Sequence, residues 1–316
     1  MEYRELGQSG LRVSRLCFGS LTMGPLQKNL SLEEGARLLR RALEGGVNFI
    51  DTAELYQNYS YLARALKGWS GDVVIATKTY AYSRQQAEAS LEKARRALNR
   101  EVVEIMLLHE QESPLTLKGH REALDYLQEA KDKGLIRALG FSTHHVAAVK
   151  AAAEMEGIDV IHPLLNMRGW GIRDGKLEDM LEAIAAARSR GIGIYAMKSL
   201  AGGHLINRAA EALAFVKNLA AVDAVAVGMG SLAELEYNLA FFSGRLVPHG
   251  VGGLGKQVRK LHFLPEEGCQ GCRQCLQACP QEALEWREGR PAVREEECIL
   301  CGYCGAHCPN LCWRIF

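Results

Sequence analysis

Eight short apolar runs, each followed by a longer amphipathic stretch, fill the first 243 residues of this 316-residue chain. The runs are RLCFG (15–19), VNFID (47–51), VVIATK (73–78), VEIMLLH (103–109), IRALGFS (136–142), VIHPLLN (160–166), GIYAMK (193–198) and AVAVG (224–228). The stretches after them predict helices over 31–45, 58–67, 83–98, 118–133, 144–155, 174–190, 204–220 and 231–243. Ser31 with Glu34 three residues on forms a capping box, Ser83 is a second N-cap, and Gly134 and Gly191 stop helices. Continuous rather than alternating apolar runs suit parallel strands covered on both faces. Eight such units predict an α/β fold, a (β/α)8 barrel of the TIM type, over the rival open doubly wound sheet. No G-x-G-x-x-G follows the first run, which also disfavours that rival. The opening EYRELGQSGLRVS reads as a small hairpin turning at Ser9–Gly10.

Barrel enzymes gather their chemistry where strands end at the C-terminal rim. Three consecutive runs end there in an ionisable residue, Asp51, Lys78 and His109, and the loop after the second run adds Tyr56. Each alone has an ordinary explanation: a capped turn, a snorkelling amine, a surface imidazole. Together they suit carbonyl reduction, in which an oxygen that gains negative charge needs a proton. Tyr56 supplies it, and the Lys78 ammonium is expected to lower a phenol pKa that otherwise lies near 10. Asp51 holds the ammonium, and His109 hydrogen-bonds the oxygen.

The segments YRELGQSGLRVSRLCFGS, FIDTAELY, ATK, LLH, GFSTHH (140–145) and VGMGSLAELEYN occur in order at these strand ends. In them the chain resembles the aldo-keto reductases over roughly residues 2–243. The resemblance implies a catalytic tetrad of Asp51, Tyr56, Lys78 and His109, a small carbonyl or alcohol substrate, and NADP(H) or NAD(H) bound without a Rossmann fold. It also implies nucleotide contacts at Gly19, Ser20, Asp51, Ser142, Thr143, His162, Met197, Lys198, Leu200, Gly202, Gly203, Gly228, Glu234 and Asn238. Within that set, Ser142 and Thr143 would lie beside the nicotinamide amide, AGG (201–203) against the pyrophosphate, and Asn238 at the adenine. Four positions depart from the family pattern. Thr143 stands where Asn is usual, His162 where Gln is common, and Met197 where a Tyr often stacks. Glu234 replaces an Arg that many NADPH-specific members carry, with Gly230 adding no charge, so the pattern leans toward NADH. Tyr80, Tyr82 and Trp170 are expected around the mouth, with specificity set by loops 110–117, 167–175 and 244–256.

Nine of the ten cysteines lie between Cys269 and Cys312. Cys269, Cys272, Cys275 and Cys279 form C-x2-C-x2-C-x3-C before Pro280, and Cys298, Cys301, Cys304 and Cys308 repeat it before Pro309. This is the run of two-cluster bacterial ferredoxins, in which the fourth cysteine crosses to the other cluster. One 4Fe-4S cluster therefore takes Cys269, Cys272, Cys275 and Cys308, and the second takes Cys298, Cys301, Cys304 and Cys279. Structural zinc prefers separated CxxC pairs, and disulfides are rare in the reducing cytosol. Cys17 and Cys312 read as small apolar fillers. The expected organisation is a barrel over 1–243, a Gly-rich linker over 244–264 and a small α+β ferredoxin-like domain over 265–316.

The net charge of +1 gives no field that favours nucleic acid or an anionic membrane. The start, MEYRELGQSG, lacks a signal-peptide layout, and a cytoplasmic location is expected. The last 52 residues carry eight Glu and five Arg, net −3, so a redox partner with a basic patch is expected to dock there and to weaken with salt. Two function classes follow. In one, the chain is an oxidoreductase with an electron-transfer tail; in the other, a nucleotide-sensing barrel serves as scaffold for a working tail. Nicotinamide moves two electrons and each cluster one, so direct coupling calls for a flavin or a radical-tolerant substrate. No sequence feature commits to a flavin.

Overall fold

The computed structural model describes residues 1–245, 260–310 and 312–315. A hairpin comes first, β1 (Tyr3–Glu5) paired antiparallel with β2 (Arg12–Ser14). Eight parallel strands follow: β3 (Leu16–Gly19), β4 (Phe49–Asp51), β5 (Val74–Thr79), β6 (Val103–Leu108), β7 (Ile136–Thr143), β8 (Val160–Pro163), β9 (Gly193–Ala196) and β10 (Ala224–Gly228). Each pairs with the next, and β10 returns to β3, so the sheet closes into a barrel. Every strand lies within three residues of its expected bounds.

Helices cover the outside, and their starts follow local chemistry. Ser31 and Ser83 each accept a hydrogen bond from the backbone three residues on, and Glu34 and Gln86 return one, a reciprocal satisfaction of free N–H groups. The stretch expected as one helix over 118–133 is two, Pro114–Gly119 and Arg121–Asp132, since Ser113 caps an earlier start with Pro114 at its first turn. The expected 204–220 helix shortens to Ala209–Lys217, because the Gly202–Gly203 region turns twice in 3-10 form first. Among the described residues no helix is long and apolar enough to cross a membrane.

The β1–β2 hairpin closes the N-terminal end of the barrel. Leu6, Leu11 and Val13 pack with Cys17, Phe49, Ile105 and Tyr195 in one buried cluster. Cys17 is thus the apolar filler expected. Arg15 is buried beside them; its guanidinium donates to the Asp223 carbonyl at 2.8 Å and to the carbonyls of Val222 and Lys217. Burial lowers its pKa to about 10, still charged at neutral pH. With one end plugged, only the opposite rim is available for chemistry.

The tail adds β11 (Leu261–Phe263), β12 (Leu284–Arg287), β13 (Arg290–Val293) and β14 (Trp313–Ile315). β12 and β13 form a hairpin, and β11 pairs with β14 through Leu261 with Ile315 and Phe263 with Trp313. The tail fold therefore begins by Leu261, inside the segment read as linker, because its last strand needs a partner from that side. Most of the Gly-rich 244–256 stretch lies outside the described residues.

Candidate active site

Strand register brings the ionisable strand ends to one rim. Gly19 pairs with Asp51, Asp51 with Ala76, and Lys78 with Leu107, one residue before the segment ending in His109. Lys78 is buried, and its Nζ lies 2.7 and 2.8 Å from the two Asp51 carboxylate oxygens, donating also to the Thr52 carbonyl at 2.8 Å. The same nitrogen is 3.5 Å from the Tyr56 hydroxyl and 4.9 Å from the centre of its ring. Tyr56 meets the His109 ring edge-on at 5.9 Å. The four expected residues are together.

Burial governs the electrostatics. It pushes the Tyr56 phenol well above 10, and the Asp51 and Glu110 carboxylates add to that rise. The lowering expected from Lys78 is thus outweighed, since an ion paired at 2.7 Å with Asp51 offers a phenol little net positive field. Burial also drives His109 well below 6.5, so the imidazole is neutral. Lys78 is lowered by burial, with Asp51 opposing. A protonated phenol and a neutral imidazole face the same space. Asp51 is further held by the Tyr195 hydroxyl at 3.0 Å.

A groove of about 1310 Å³ runs from this tetrad across the rim, larger than the roughly 300–1,000 Å³ of common ligand pockets. Of the expected nucleotide contacts, Gly19, Asp51, Ser142, His162, Met197, Lys198, Leu200, Gly202, Gly203, Gly228, Glu234 and Asn238 line it. Ser20 and Thr143 are not among its lining. The Ser20 hydroxyl is taken by Asn58, and the Thr143 hydroxyl caps the chain at His145. His144 faces the groove instead. His162 is fixed by stacking on Tyr195 at 3.9 Å and by the Tyr195 carbonyl 2.6 Å from its Nδ1.

Two buried oxygens in the groove, Ser199 Oγ and Asn238 Oδ1, have no hydrogen-bond partner. Orphaned acceptors in an elongated cleft fit a dinucleotide rich in hydroxyl and amide donors. Glu234 is not a bare negative charge: Gly230 N–H donates to it at 2.6 Å and the Lys28 ammonium lies at 3.3 Å. The repulsion of a phosphate expected there is therefore offset by Lys28, a residue the strand-end reading did not reach.

The tail lies over the same rim. Gln27 donates to the Leu300 carbonyl at 3.1 Å, and His204 Nε2 is 2.6 Å from the Cys298 carbonyl. A side chain on Gly202 would run into the Ile299 backbone. That glycine accommodates the tail itself, beyond the pyrophosphate approach expected of it. Ile299, Cys301 and Tyr303 pack with Leu26, Ala53, Tyr56 and Leu164. Leu300 and Tyr303 line the groove. Tyr80 stacks on His109 at 4.6 Å and donates to Glu110 at 2.7 Å, while Tyr82 and Trp170, though exposed, do not line the groove.

The eight cysteines form two cavities. Cys269, Cys272, Cys275 and Cys308 line one; Cys279, Cys298, Cys301 and Cys304 line the other. These are the crossed sets expected from the spacing. Among the described residues no three His, Cys, Asp or Glu converge as one metal ion would require. Four thiols ringing a space suit a polynuclear cluster better than a single ion. The second set is the one against the barrel, whereas Cys269 and Cys272 of the first are exposed. Cys312 is buried beside the first set, its N–H donating to Cys308 Sγ at 3.4 Å.

The 4Fe-4S dicluster domain family matches residues 263–309. Similar proteins include the oxidoreductase YrpG of Bacillus subtilis strain 168, 26% identical over 71% of this chain and 74% of that one. The L-galactose dehydrogenase of Arabidopsis thaliana is 24% identical over 76% of this chain and 88% of its own. A solved aldo-keto reductase structure from Pseudomonas aeruginosa superposes with a TM-score of 0.66 at 28% identity, covering 77% of this chain and 95% of that one. With a closed eight-strand barrel, four strand-end groups on one rim, and a match to the Aldo/keto reductase family over residues 15–211, this chain belongs to that family and carries a C-terminal 4Fe-4S dicluster domain.

Proposed function

We infer that the chain reduces a carbonyl compound, or oxidises the corresponding alcohol, using NAD(H) or NADP(H). The observation that carries this is Lys78 Nζ seated between Asp51, at 2.7 Å, and the Tyr56 hydroxyl, at 3.5 Å, at the head of the groove. A bound nicotinamide supplies the hydride. Tyr56 gives its phenolic proton to the carbonyl oxygen, so the carbonyl gains hydride on carbon and a proton on oxygen and leaves as an alcohol. Lys78 stabilises the phenolate left behind, and Asp51 keeps the ammonium in place. His109, neutral at physiological pH, orients the oxygen from Nε2. A scaffold would have no use for four matched groups on one rim. The test is anaerobic titration of NADH and NADPH, followed by aldehyde-dependent nucleotide oxidation. Micromolar binding and turnover are expected, and absence of both would refute the reading.

The crossed cysteine sets would hold two 4Fe-4S clusters that exchange single electrons with a partner at the exposed Cys269–Cys272 side. The acidic charge of the tail favours a basic partner, with contact that weakens in salt. So small a domain gains much of its folding free energy from its metal. Chelation of iron is therefore expected to make residues beyond 260 protease-sensitive while the barrel keeps its circular dichroism. A tail equally resistant with and without iron would contradict this.

A further inference from the structure

We propose that Tyr303, carried by the loop between Cys301 and Cys304, is a specificity-determining residue of the barrel site: its hydroxyl stands where the substrate oxygen must bind. This rests on the reading that Tyr56 and His109 receive a carbonyl oxygen. The Tyr303 hydroxyl shares a hydrogen bond of 3.0 Å with His109 Nε2, and it is also a hydrogen-bond partner of the Tyr56 hydroxyl. A carbonyl oxygen that takes a proton from Tyr56 and a hydrogen bond from His109 needs that same point in space. Two oxygens cannot share it.

The placement is enforced from several sides. Tyr303 is 6% exposed, its ring meets His109 edge-on at 5.9 Å, and it lines the groove beside Leu300. The preceding Gly302 takes a left-handed φ of 81°, and any side chain on it would press on the Leu26 carbonyl. Leu300 is tied to Gln27, and Cys298 to His204. The loop is therefore fastened to the barrel at three points, and the phenol between Cys301 and Cys304 is held in the site. A substrate binds only by replacing one hydrogen bond of the protein with its own. Compounds with a strong oxygen acceptor can do so; apolar molecules of the same shape cannot, because they would leave His109 Nε2 and Tyr56 unpaired.

The test uses the iron-loaded full chain with Tyr303→Phe, which keeps the ring and removes the oxygen, and Tyr303→Leu, which also opens space. Benzamide serves as a non-reducible carbonyl probe in calorimetric titration of the oxidised-nucleotide complex, and 4-nitrobenzaldehyde as the turnover probe. Tyr303→Phe is expected to bind benzamide about fivefold more tightly, the worth of one neutral hydrogen bond, and Tyr303→Leu at least as tightly. KM for the aldehyde should fall by a similar factor with kcat unchanged, and nucleotide affinity and the visible cluster absorbance should not move. Unchanged or weaker benzamide binding in both variants overturns the proposal, as does failure of every form to bind it. So does a kcat loss beyond about tenfold, which would place Tyr303 in the transition state. Should no form reduce the aldehyde while the variants still tighten benzamide, the catalytic reading falls and the placement of Tyr303 stands.

Discussion

Tyr56→Phe is expected to lower kcat/KM for carbonyl reduction by about a thousandfold while leaving nucleotide affinity and the cluster spectrum unchanged. The ring is retained, so its edge-on contact with His109 and its place under the Lys78 ammonium persist. Only the proton source is lost, and general acid catalysis typically contributes 10²–10⁴-fold. The phenol is pushed well above 10 by burial, so it stays protonated through neutral pH. A general acid works only while protonated; its contribution falls as pH rises through its own pKa. The reductive rate is therefore expected to show no phenol-dependent decline between pH 6 and about pH 9. Turnover within tenfold of the parent in Tyr56→Phe would remove the hydroxyl from its assigned role.

Lys78→Met carries a comparable penalty and adds one in stability. Both members of the pair are buried, with 1% and 6% of their side chains exposed, so removing the ammonium strands the Asp51 carboxylate in the barrel. Its remaining partners are the Tyr195 hydroxyl at 3.0 Å and a neutral His162 at 3.6 Å. Breaking a buried pair from one side typically costs about 3–5 kcal/mol, measurable as a drop in the denaturant midpoint. The double variant Asp51→Asn with Lys78→Met should regain much of that stability without regaining activity, since no charge is then left unpaired. A single variant that loses under about 1 kcal/mol would mean that water reaches the pair.

The barrel was legible because its signals are local. Each strand is a continuous apolar run, and Ser31 and Ser83 announce their helices within four residues. Asp51, Lys78 and His109 were legible for a related reason: an ionisable group that ends a buried strand has only the rim to occupy. The misses all depend on where a side chain turns. Ser20 and Thr143 lie in the right loops, but Asn58 and His145 claim their hydroxyls. The break at His120 could have been read from Ser113–Pro114, a cap followed by the residue that best tolerates a first turn. Tyr303 could not have been found, since its contact with His109 spans 194 positions and its neighbours in sequence announce only metal ligation. The Lys28–Glu234 pair is hidden likewise, with 206 residues between its members.

The wedge of Ile299, Leu300 and Tyr303 in the barrel mouth makes this protein's colloidal behaviour depend on its iron supply. The wedge covers Leu26, Leu164, Ile172 and Met197, side chains that would otherwise form a contiguous greasy ring around an open well. Rings of that kind invite self-association. A cell short of iron would thus accumulate not a merely idle oxidoreductase but a sticky one, with its own active-site entrance as the adhesive surface.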